Sequence, residues 1–164
     1  LRCEMPSLDR RDPGIYISCE YDRDSLIPLI EWMKDHNIPC PVIPGQIHTT
    51  ILYSKTPVKG IPPIEFSNWE IEPAEFDLFP LSHIDESEVK ALVIKLSSPE
   101  LVATHQELIE RGGSHDFPEY HPHLTLSYNV PADFDLSTLT LPDVKLRPKA
   151  VYIKPLDKNW ACNL

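Results

Sequence analysis

The sequence predicts an α+β fold of two similar lobes, each an antiparallel sheet backed by a helix, related by a pseudo-twofold axis with a cleft between them. Three observations predict it. Two segments repeat the order strand, helix, strand. The last strand of each copy opens with His-x-Thr, as His48-Thr49-Thr50 and His123-Leu124-Thr125. The copies are also of nearly equal length, from Ile15 to His48 and from Leu92 to His123, and a duplicated unit is the simplest account of all three.

The elements follow in order. Residues 15–21 alternate as a strand. Asp24 or Ser25 then caps a helix whose apolar residues Leu26, Leu29, Ile30 and Met33 recur at helical spacing. With Ser25 as the N-cap, Pro28 takes the third helical position, where no intrahelical donor is lost. The helix ends near Asn37, before Pro39, and a proline-rich connection leads to a second strand, Ile47 to Ser54. In the second copy, Ala91 to Leu96 is an apolar run that reads as a buried strand. Ser98 is an N-cap with Pro99 at the first helical position, and Leu101, Val102, Leu108 and Ile109 mark the inner face before Gly112-Gly113 stops the helix. The strand His123 to Tyr128 closes the copy. Asn68 to Phe79 supplies one extra strand interrupted by proline, and Lys149 to Lys154 a last one.

These elements group into a single bilobal domain over 1–164, with lobe one at about 14–56, a linker at 57–90, lobe two at about 91–130 and a C-terminal segment of 131–164 from which a lid is expected. The 164 residues, 41% of them apolar, suffice to bury a core. No apolar run approaches the roughly 18 residues that span a bilayer, and the opening residues lack the layout of a signal peptide. Cys3, Cys19, Cys40 and Cys162 are widely spaced, which suits reduced thiols in a cytoplasm better than a disulfide framework or a structural zinc site.

A formal charge of −10 argues against an extended sheath on DNA or RNA, where binding rests on neutralising many phosphates. A short nucleotide is compatible with it. The charge is also uneven. Residues 61–89 hold eight acids and no Lys or Arg, whereas Lys145, Arg147, Lys149, Lys154 and Lys158 gather near the C-terminus, where they are a candidate source of attraction for an anion.

Side chains alternate across a strand, so a histidine and the threonine two positions later face the same way. His48 with Thr50 and His123 with Thr125 would converge on the cleft, while Ile47, Ile51, Leu124 and Leu126 point into their lobes. Two imidazoles and two hydroxyls suit a phosphodiester. One histidine accepts a proton from the nucleophile, the other gives one to the leaving oxygen, and the hydroxyls donate to the non-bridging oxygens as charge builds. The scheme needs no metal and no cofactor. It leaves open which histidine is the base, and whether water or a substrate 2′-hydroxyl attacks.

This pattern resembles the two-histidine (2H) phosphoesterase superfamily. Within it, Gly14-Ile-Tyr-Ile, the segment from Ile47 to Ser54 and the segment from Tyr120 to Asn129 are similar to the phage anti-CBASS nucleases, which destroy the cyclic oligonucleotide signals of bacterial immunity. The resemblance implies metal-independent cleavage of 3′–5′ bonds in cyclic di- and trinucleotides in the host cytoplasm, by His48, Thr50, His123 and Thr125. It also implies that Tyr16 stacks on a base and that Trp160 closes over the nucleotide. Lys154 stands near where the family has an acidic residue, with Asp157 a distant substitute.

Other readings compete. A 2H enzyme acting on RNA ends or 2′,3′-cyclic phosphates, and a sponge that binds cyclic nucleotides without cutting them, share parts of the pattern. His121 and His123, with His115 and Asp116 nearby, have a spacing that also suits a metal. His105 falls on the inner face of its helix, either reaching the cleft or buried with a hydrogen-bond partner. Alternation turns Tyr53 and Tyr128 away from the catalytic face, toward the core.

Overall fold

The structure is a computed structural model that describes residues 14–81, 88–117 and 119–156. Strands β1 (Ile15–Tyr21), β2 (His48–Ser54) and β6 (Pro148–Pro155) form one antiparallel sheet in the order β2-β1-β6. Strands β3 (Glu72–Phe79), β4 (Val89–Ser97) and β5 (His123–Pro131) form a second in the order β3-β4-β5. Helix α1 (Arg23–Asp35) joins β1 to β2, and α2 (Pro99–Glu110) joins β4 to β5. Each sheet thus carries its His-x-Thr strand on an edge beside a central apolar strand, which gives the two lobes their pseudo-twofold relation.

A single core underlies both lobes. Ile17, Leu29, Ile51, Leu92, Ile94, Leu108, Leu124 and Leu126 are all almost wholly buried in it. The helices bind the lobes together rather than serving one sheet each. Trp32 of α1 stacks on Phe76 of β3, with ring centroids 5.4 Å apart, and His105 of α2 bonds to the backbone of β2. Among the described residues no helix is long and apolar enough to cross a membrane.

Helix α2 starts and stops where its sequence signals stand. The Ser98 hydroxyl accepts from the Leu101 N–H at 3.2 Å, and Pro99 opens the helix. At the other end Gly112 takes φ +110°, and the Gly113 and Gly112 N–H groups donate back to the Leu108 and Ile109 carbonyls, the paired bonds of a Schellman stop. Val102, expected inside, is 47% exposed, and the inner face is Leu101, His105 and Leu108.

Helix α1 ends in the same kind of stop, with Asn37 at φ 52° and the Ile38 N–H donating to the Met33 carbonyl. Its start differs from expectation. The N-cap is Asp22 rather than Asp24 or Ser25. The Asp22 carboxylate is held by Arg147 at 3.2 Å, and the Ser25 hydroxyl donates to the Asp22 carbonyl at 2.7 Å. Pro28 therefore sits inside the helix, beyond the first turn, and its missing N–H leaves the Asp24 carbonyl without the usual helical donor.

Candidate active site

Cross-strand partners share a face of a sheet, and this locates the candidate residues. On the first sheet His48 pairs with Glu20, Thr50 with Ser18 and Tyr53 with Tyr16. On the second, His123 pairs with Lys95 and Thr125 with Val93. His48 shares a face with Thr50 and His123 with Thr125, all four half-buried, while Ile47, Ile51, Leu124 and Leu126 are buried behind them. The lobes meet beside these strands. Pro41 bridges to Ser127, and the Val42 N–H donates to the Leu126 carbonyl at 2.8 Å.

Both imidazoles are presented by the same device. His48 Nδ1 lies 2.8 Å from the Gln46 carbonyl oxygen, and His123 Nδ1 lies 2.8 Å from that of His121. A carbonyl only accepts, so Nδ1 carries the proton in each ring. That leaves Nε2 as the nitrogen free to take up or release one. Burial holds His123 below the ordinary histidine value. Its hydrogen bond to the His121 carbonyl opposes this, and the positive charges of His48, His121 and Lys95 reinforce it. The Phe79 ring meets the His123 ring edge to face at 4.8 Å.

A cleft of about 630 Å³ brings Thr50, Tyr53, Phe79, Tyr120, His121 and His123 together. Tyr16 stands beside it. Its hydroxyl is 3.0 Å from the Thr50 hydroxyl, and its ring meets that of Tyr53 edge-on at 6.1 Å. Lys154 pairs with Tyr16 and so shares this face, whereas Arg147 of the same basic cluster is engaged by Asp22. Trp160, Asp157 and Lys158 lie outside the described residues.

Two expectations are corrected. Tyr53 is 44% exposed and lines the cleft, and Tyr128 is 49% exposed; neither is core. The cause is a β-bulge in each strand. Ser18 faces Thr50 and Ile17 faces Leu52, so Ile51 is an extra residue. Val93 faces Thr125 and Leu92 faces Ser127, so Leu126 is the extra residue in β5. A bulge turns two consecutive side chains toward one side and resets the alternation beyond it. Ile51 with Leu52, and Leu126 with Ser127, are accordingly buried in succession.

Residues to which the sequence assigned no part in the cleft complete it: Tyr53, Phe79 and Tyr120. A signal for the first was available, since both His-x-Thr motifs are followed three positions after the threonine by tyrosine, Tyr53 and Tyr128. His105 does not open on the cleft. It is 5% exposed, with Nδ1 donating to the Ile51 carbonyl at 2.8 Å. His121 Nε2 approaches Glu119 at 3.8 Å and His115 Nε2 the Glu119 carbonyl at 3.3 Å. Among the described residues no three His, Cys, Asp or Glu side chains gather as a metal-ligand set.

Comparison with known proteins agrees with this architecture. Solved structures with the same fold include Escherichia coli LigT complexed with 3′-AMP, with a TM-score of 0.53 and 13% identity over 89% of this chain and 96% of that one. A second, described as a phosphoesterase, aligns with a TM-score of 0.51 and 12% identity over 88% of this chain and 99% of that one. In sequence, the chain is 31% identical over 150 residues to the anti-CBASS protein Acb1 of Vibrio phage KVP40, covering 92% of each. It is 31% identical over 155 residues to that of Enterobacteria phage T4, covering 92% of this chain and 93% of the relative. The family model described as anti-CBASS protein Acb1 matches residues 13–163. With the paired His-x-Thr strands in a 2H phosphoesterase fold, this match means that the chain belongs to the Acb1 family of anti-CBASS proteins.

Proposed function

We propose that the protein is a phosphodiesterase that opens 3′–5′ bonds of cyclic di- and trinucleotide immune signals in the cytoplasm of an infected bacterium, and so counteracts CBASS. The observation that carries this reading is the paired presentation of His48 and His123. Each has its Nδ1 proton tied to a carbonyl two residues back, an Nε2 with no hydrogen-bond partner among the described residues, and a threonine hydroxyl on the same face.

Such a pair passes one proton in and one out during an in-line displacement. His123, held below the ordinary histidine value, is neutral near pH 7 and is assigned as the base. His48 is then the acid that protonates the leaving oxygen. Thr50 and Thr125 donate to the non-bridging oxygens, and Tyr16 offers a face to a base. Bond making and breaking are served by these four side chains, so no cofactor enters the scheme. A modest cleft on a chain of charge −10 fits a small diester better than a polymer.

The test is incubation with 3′,3′-cyclic dinucleotides and cyclic tri-adenylate, with and without EDTA, followed by chromatography of the products. Linear products in both conditions are expected. Intact ligand recovered after denaturing the protein would sink the enzyme and leave a sponge. Cleavage confined to 2′,3′-cyclic phosphates or RNA ends would transfer the reading to that substrate class, and loss in EDTA would return the metal reading. A 2′,3′-cyclic phosphate among the products identifies the substrate 2′-hydroxyl as the nucleophile.

A further inference from the structure

The bulge in β2 is not held by its own sheet alone. Two consecutive carbonyls at the bulge, of Thr50 and Ile51, are each taken by a side chain from the other half of the chain. The Tyr120 hydroxyl donates to the Thr50 carbonyl at 2.7 Å, and His105 Nδ1 donates to the Ile51 carbonyl at 2.8 Å. In an unbroken strand successive carbonyls point to opposite sides. Here the extra residue lets both be gripped by donors that touch each other, because the His105 and Tyr120 rings stack at 4.1 Å with planes 7° apart. His115 packs edge-on against both, at 4.7 and 6.1 Å.

The grip is reciprocal. The carbonyl of Leu126, the extra residue in β5, accepts from the Val42 N–H of the first half. Each His-x-Thr strand is therefore fastened by the opposite lobe just past its threonine. The two ends of the proposed proton relay sit on different sheets, so their alignment depends on how the lobes are joined beside these strands. Hydrogen-bond donors on rigid, stacked rings supply one with little side-chain freedom.

We propose that His105 and Tyr120 are positioning residues, a clamp that holds the β2 bulge and thereby sets the Thr50 hydroxyl in register with His48 and with His123 across the cleft. The proposal rests on the catalytic reading above for its effect on rate, and on geometry alone for its effect on β2.

Two measurements test it. In Tyr120→Phe the ring stack survives and only the donor to Thr50 is lost. The expected result is a fall in kcat of about tenfold with KM little changed. Against a Thr50→Val background the same change should add little, because the clamp acts through Thr50. His105→Asn, which keeps an N–H donor where Nδ1 stands, should retain most of the activity that His105→Leu loses. Independently of any substrate, hydrogen–deuterium exchange should quicken several-fold in peptides covering 48–54 of Tyr120→Phe while α2 exchanges as before. Unchanged exchange in 48–54, or losses that simply add in the Thr50→Val background, would overturn the clamp. Failure of the wild-type protein to cut any cyclic nucleotide would strike the proposed function instead, and the exchange result would still decide the clamp.

Discussion

The Tyr16 hydroxyl lies 3.0 Å from that of Thr50 across the β1–β2 pair. If the phenol donates and the threonine accepts, the threonine proton is left to point elsewhere, which is what a donor to a non-bridging phosphate oxygen requires. Tyr16 then has two separable roles. Tyr16→Phe keeps the ring and should lower kcat by about two- to tenfold, the worth of one hydrogen bond. Tyr16→Leu removes the stacking surface as well and should raise KM in addition. Steady-state kinetics of both variants on one cyclic dinucleotide separates these effects. Equal behaviour of the two variants would mean that the aromatic face carries nothing, and a Tyr16→Phe variant equal to the parent would mean the same of the hydroxyl.

The threonine hydroxyls are assigned to the charge that develops in the transition state, so their removal should appear in kcat. Thr50→Val and Thr125→Val keep the β-branched shape of the strand residue while deleting the donor. Each is expected to cost about 10²–10³ in kcat, as loss of an oxyanion donor does elsewhere. Ligand titration onto the same variants should show affinity close to that of the parent. A loss confined to affinity would recast the threonines as ground-state contacts.

Burial first, and then the charges of His48, His121 and Lys95, hold His123 below its ordinary value. A base must be deprotonated, so the acid limb of kcat/KM should fall below pH 6.5. Removing a nearby cation relieves part of the depression, and Lys95→Met should move the limb to higher pH. The same sign governs stability. His123 and His105 both bind protons less readily when folded than when unfolded, so the fold should lose stability as pH falls through about 6.5 toward the depressed values. A melting temperature that rises on acidification through this range would contradict both directions.

The shared face of each His-x-Thr pair was legible because it depends only on period-two spacing within two short strands and on a repeat that can be counted, whereas of the four side chains Thr50 and His123 line the cleft and His48 and Thr125 stand outside its lining. The ends of α2 were legible for a similar reason, since Ser98, Pro99 and Gly112 act on their own neighbours. What was not legible is decided by partners far along the chain. Asp22 is the cap of α1, yet its carboxylate is directed to Arg147, and nothing within the helix announces that. Tyr53 was turned to the core by counting in twos, whereas Ile51 enters the strand as an extra residue. The carbonyls at that bulge take side-chain donors from His105 and Tyr120, more than fifty positions away.

Gly14, at the head of the first strand, admits a sharp test of how closely the strands approach. A Cβ there would run into the Ser54 carbonyl oxygen and come within 2.9 Å of the Lys55 Cα. These are backbone atoms that no rotamer change can move. Ser54 is wholly buried, and its hydroxyl accepts from the Ser114 N–H at 2.8 Å and donates to the Thr56 carbonyl at 2.7 Å. Displacing it would disturb a junction between the lobes as well as the β1–β2 pair. Gly14→Ala should therefore destabilise the fold by about 1–3 kcal/mol, the usual range for an overpacked site. Gly45, where an added Cβ meets nothing within 4 Å, provides the control, and Gly45→Ala should be near neutral. Chemical denaturation of the two variants compares them directly. If Gly14→Ala unfolds at the parent's midpoint, the close approach of β1 to Ser54 is not a constraint on this fold.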